Sequence, residues 1–135
     1  MTKYSASACV LVLVWLLFAS TGAEAEEKES LSEWGKELFS VYCVACHGFS
    51  GKGDGAFAPA LKTRPANLTL LSKNHGGQFP RSLVIQFITG DTAVAAHGTR
   101  EMPVWGVIFS RQGGTYTERT KVQALADYIE SIQER

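Results

Sequence analysis

The chain has 135 residues, 45% of them hydrophobic, with 13 basic and 13 acidic side chains and no formal net charge. That length suits one small domain rather than two, and basic residues that are not interleaved with aromatic ones argue against a nucleic-acid binder. A core of this size is only marginally buried, so a cofactor or a crosslink would add to its stability.

The N-terminal stretch reads as an export signal, residues 1–25, ahead of a domain over 26–135. Lys3 gives a positive start, Cys9 to Ser20 (CVLVLVWLLFAS) form an apolar core, and Ala23, Glu24 and Ala25 offer a small-residue cleavage site. A spanning helix needs about 20 apolar residues, which leaves an uncleaved tether as the rival reading. Cys9 stands at the start of the apolar core, not after it, and leaves with the signal, so the mature chain keeps two cysteines, Cys43 and Cys46. In an oxidising compartment two thiols pair or are consumed by something else. A disulfide across so short a loop constrains the unfolded chain little.

The first element of the domain is a helix capped by Ser30 or Ser32, with Leu31, Trp34, Leu38, Phe39 and Tyr42 on its apolar face, running on to the cysteines. Three uses of Cys43, Cys46 and His47 compete. A redox dithiol of the thioredoxin kind wants a strand before it and a βαβ unit around it, and neither is present. A structural zinc site needs four ligands, and His47, His75 and His97 with two thiols lack the paired spacing. The third use is covalent attachment of haem, for which Cys, two residues, Cys, His is the signature. Helix geometry favours it: at spacings of three and four the three side chains share one face, about 5 to 6 Å apart at their β carbons. Two sulfurs can then take the vinyl groups as thioethers while the imidazole becomes a proximal iron ligand.

Residues 48–79 are glycine-rich, hold two of the four prolines and show no helical period, so they read as a long loop. A loop of that length implies function or a ligand to wrap. Asn67, Leu68 and Thr69 match a glycosylation triplet that is too short to carry weight. Pro80 opens a helix in which Leu83, Val84, Phe87 and Ile88 recur at helical spacing, and Gly90 stops it. Met102, the one methionine after the signal, follows in a loop bounded by Gly98, Pro103 and Gly106. Its soft thioether suits a sixth iron ligand; the alternative is a core side chain. His75 and His97, each beside a glycine in a polar loop, are its rivals. Trp105 has two readings, packing against the macrocycle or donating its indole hydrogen to a haem propionate. The last helix spans about 118–133, capped by Thr117, with Val122, Leu125, Ala126, Ile129 and Ile132 as its stripe.

Over residues 31–133 the sequence resembles the class I c-type cytochromes, small exported monohaem proteins. The resemblance is carried by CVACHG, GKGDGAFAPALKTRPANLT, GGQFP, MPVWG and ALADYI. It implies an all-α fold, a few helices and long loops wrapped around one haem, attached through Cys43 and Cys46 with His47 and Met102 as axial ligands. Pro59 matches the family proline whose carbonyl accepts a hydrogen bond from the ring nitrogen that His47 does not use on iron. The last helix is expected to cross the first, with Gly35 and Phe39 meeting Leu125 and Tyr128.

The function implied is one-electron transfer in a periplasmic respiratory or dehydrogenase-linked chain, by a carrier rather than an enzyme. A subunit fixed in a larger oxidoreductase complex is one alternative. A haem-based sensor or enzyme is the other, and requires a labile Met102. Residues 48–111 carry seven basic against three acidic side chains, while 26–47 carry five glutamates against two lysines. Redox partners are thus expected to dock at a net basic haem edge.

Overall fold

The structure, a computed structural model, describes residues 27–91, 102–114 and 116–134; every regular element among them is helical and none is a strand. The expected signal, with Lys3 and Cys9, lies outside the described residues, as does His97. The chain divides into two compact units, Met1–Ser30 and Leu31–Arg135. Of the first, only residues 27–30 are described, and they are helical. The other described helices and the long loop belong to the second.

Helix α1 covers residues 31–42. Its expected start at Ser30 or Ser32 is corrected, since the chain is already helical at residue 27, where Glu27, Lys28 and Glu29 are good helix formers. A single turn residue, Cys43, separates α1 from α2, Val44–His47. Helical bonding crosses that break, with Cys43 N–H donating to the Phe39 carbonyl at 2.9 Å and His47 N–H to the Cys43 carbonyl at 2.9 Å.

The segment after α2 contains three short turns that the sequence did not announce: 3₁₀ turns at Ala58–Ala60 and Leu68–Leu70, and α3, Leu71–Asn74. Each is too short to show a period. Asn67 caps the second 3₁₀ turn, its Oδ1 accepting from the Thr69 amide at 3.0 Å and from the Thr69 hydroxyl at 2.7 Å. The Asn-Leu-Thr triplet is therefore a local capping device.

Helix α4, Arg81–Thr89, ends as expected on Gly90 in the left-handed conformation, with φ 89°. Its expected stripe splits: Val84 and Ile88 are buried, whereas Leu83 and Phe87 remain 37% and 39% exposed. Helix α5, Trp105–Gln112, begins inside the expected Met102 loop, and the sequence reading assigns no element to the rest of it. It is eight residues long with Gly106 inside, a weak helical signal. Packing decides the matter: Phe109 is buried, and a Cβ on Gly106 would lie 2.8 Å from the Thr89 carbonyl oxygen of α4. Helix α6, Glu118–Ser131, starts on Thr117, whose hydroxyl accepts from the Thr120 amide at 3.2 Å.

Phe39, Val84, Ile88, Phe109, Val122, Leu125, Ala126 and Ile129 form one core, with α6 at its centre. Helix α1 crosses α6 at Gly35, where a Cβ would run into the carbonyl oxygen of Ala124 and lie 2.9 Å from Tyr128 Cβ. The Phe39 and Tyr128 rings meet at 5.2 Å. Helix α4 is tied to α6 by Arg81, whose guanidinium donates to Asp127 at 2.6 Å and to Gln123 at 2.8 Å. Asp127 is 5% exposed, so this pair holds a carboxylate that would otherwise be buried unpaired.

Candidate functional site

Cys43, Cys46 and His47 lie on a single helical turn, and both thiols are free and half-buried. Burial, and secondarily the charge of Cys46, push the Cys43 thiol up to about 12, which disfavours thiolate chemistry at that sulfur. Burial also lowers the His47 imidazole from its ordinary value, against the opposing pull of a hydrogen bond to the Ala66 backbone. The ring is therefore neutral at pH 7.

That hydrogen bond fixes the tautomer. Nδ1 lies 3.1 Å from the Ala66 carbonyl oxygen. A carbonyl only accepts, so Nδ1 carries the proton and Nε2 keeps a lone pair. The sequence reading named the Pro59 carbonyl as this acceptor. The structure corrects it: Pro59 sits exposed in the first 3₁₀ turn, and Ala66, just after the loop's other proline, takes that place.

The loop's path explains the exchange. The last carbonyls of a helix lack intrahelical partners. Here the amides of Phe57, Gly55 and Gly53 return to the carbonyls of Ala45, Cys46 and His47 at 2.8, 3.1 and 2.8 Å. A Cβ on Gly55 would press on the α2 backbone, 2.5 Å from the Ala45 carbonyl oxygen. Gly53, at φ 75°, admits the Pro65 carbonyl where a Cβ would collide with it. The glycine spacing of GKGDG thus lays residues 65–66 beside the His47 ring.

Met102 lies three residues before α5 and packs, partly buried, against the same core as Cys43, Val44, Leu68 and Trp105. The Trp105 ring contacts Tyr42 edge-on at 5.3 Å and stacks on Phe109 at 5.8 Å. Tyr42 adjoins Cys43, so this aromatic group brings the Met102 end of the chain to the cysteine turn. His75 is exposed at the end of α3, its Nδ1 2.7 Å from the Leu71 carbonyl. Ala66, Pro65 and Gly53 escaped the sequence reading because their contribution is made by backbone.

A neutral imidazole with a free lone pair, two unpaired thiols on its own turn and a thioether at the same core form a donor set suited to a haem. The cytochrome c family model matches residues 32–133. The chain belongs to the cytochrome c family. Neither the curated proteins nor the solved structures compared with it give a match. Family membership with Cys43 and Cys46 at the attachment spacing makes covalent haem c the cofactor of this cytochrome c domain, and haem-based electron transfer its family activity. Among the described residues no helix is long and apolar enough to cross a membrane.

Proposed function

We propose that this cytochrome c is a mobile one-electron carrier with His47 and Met102 as axial ligands. It is exported behind a signal over residues 1–25 and works in a periplasmic respiratory or dehydrogenase-linked chain. Bound haem supplies the one-electron couple. The supporting observation is the hydrogen bond from His47 Nδ1 to Ala66, which leaves Nε2 on the turn that holds both thiols.

The protein's own groups divide the work. Cys43, just before α2, and Cys46, on it, would hold the macrocycle edge as thioethers beside His47. The Ala66 carbonyl orients the imidazole and makes it more basic. Met102 offers a soft, neutral sulfur that favours the reduced state. With His47 and Met102 both on the iron, no position would be left open for a substrate, and the haem would supply electron transfer rather than bond-making catalysis. Tyr42, next to Cys43 in the chain, packs edge-on against Trp105 at 5.3 Å and Phe109 at 5.2 Å.

The test is expression with a haem-attachment system, then mass and visible spectra. Expected are one porphyrin that survives denaturation and a mature N-terminus at Glu26. Met102→Ala should abolish the sulfur-to-iron absorption of the ferric protein and lower its potential; an unchanged spectrum overturns the sixth-ligand assignment.

A further inference from the structure

The Ala66 carbonyl that meets His47 belongs to a strap, residues 65–72, whose far end is held from outside the loop. Just past α6, Gln133 satisfies three backbone groups with one side chain. Its Nε2 donates to the Leu68 carbonyl at 2.7 Å and to the Ile129 carbonyl at 2.7 Å. Its Oε1 accepts from the Ser72 amide at 2.8 Å.

Glu134 adds a second hold. Its amide donates to the Thr69 carbonyl at 2.9 Å. The Thr69 hydroxyl places its one proton between Glu134 Oε1 at 3.0 Å and Asn67 Oδ1 at 2.7 Å. Thr69 is 5% exposed, so water does not readily replace these partners. On the opposite side the Leu68 amide donates to the Gly51 carbonyl at 2.7 Å. The strap is pinned between the glycine loop and the end of α6, and Ala66 is one peptide away from the pinned segment.

We propose that Gln133, assisted by Glu134, is a positioning residue for the redox centre: it clamps the strap so that the Ala66 carbonyl stays on the His47 ring. The inference rests on His47 being the iron ligand. Releasing the clamp lengthens the bond to Nδ1–H, makes the imidazole a poorer electron donor, and so stabilises the ferric state less.

The variant is Gln133→Met, which keeps the volume and removes all three hydrogen bonds. Two quantities are read on the haem-loaded protein: the exchange rate of the His47 ring N–H, by NMR on nitrogen-labelled material, and the midpoint potential. Expected are about tenfold faster exchange and an upward potential shift. Thr69→Val, which removes only the hydroxyl bonds, is expected to give a smaller change of the same sign, and serves if Gln133→Met does not fold. Val122→Ala, an uncharged core truncation on α6, is the control for lost stability and should move neither quantity. Wild-type values in both strap variants, with only the melting temperature lowered, would show that the clamp serves stability alone and overturn the proposal. A His47 ring signal in the wild type that is indifferent to oxidation state overturns the ligand reading instead, and the proposal with it. The two failures appear in different proteins and so are told apart.

Discussion

Tyr128 shows how a single side chain couples burial to charge. Burial first, and then the carboxylate of Glu33, raise its phenol above the ordinary value of 10.0. The unfolded chain therefore releases this proton before the folded one as pH rises. Between the two pKa values the folded state holds more protons, so stability from this group falls as pH climbs past 10.0 and is fully present below it. Tyr128→Phe is expected to soften the alkaline decline. Urea midpoints at pH about 8 and about 11 should differ less in the variant than in the wild type; an equal difference contradicts the assignment. Asp127 is the neighbouring case on the same helix, decided by geometry alone. It is buried as deeply as the core and pairs with the Arg81 guanidinium at 2.6 Å, which Glu130 shares at 3.3 Å.

At the scale of elements, α6 organises the domain because three helices pack on it, and the α1 crossing is its tightest contact. Gly35 costs α1 up to about 1 kcal/mol of helix propensity. It is tolerated because the Ala124 carbonyl occupies the space of a side chain. Gly35→Ala should therefore destabilise by about 3 kcal/mol despite alanine's better propensity, as overpacking against backbone has no flexible atom to yield. The check is a thermal melt, with a fall of more than about 10 °C expected. A rise would mean that the two helices are further apart than they lie here. Helices α4 and α6 were legible from period and caps, through Gly90 and Thr117. The eight residues of α5 were not, since their helix is imposed by packing Phe109 and Gly106 against α6 and α4.

Across the whole molecule, charge is uneven although it sums to zero. The basic excess of residues 48–111 includes Arg81, which α6 engages, so the remaining lysines and arginines carry the long-range field. Lys52, exposed in the glycine loop near the attachment turn, is among them. Phe49 and Phe57 in the same loop are 84% and 61% exposed. Lys52→Glu should slow oxidation of the ferrous protein by ferricyanide about two- to threefold at low ionic strength, with the difference vanishing in high salt. Stopped-flow rates against ionic strength check this, and a salt-independent difference would place the effect in the redox centre instead of the field.

The sequence by itself determined the attachment turn, the helices with whole amphipathic periods, and the all-α class. Ligand chemistry and helical spacing are local properties that adjacent residues spell out. Only the tertiary structure decided that Ala66, not Pro59, faces His47, that Gln133 holds the strap, and that residues 105–112 are helical. Each of these depends on backbone groups and packing partners far apart in the chain, and a carbonyl oxygen looks the same in every residue until the fold chooses what stands opposite it.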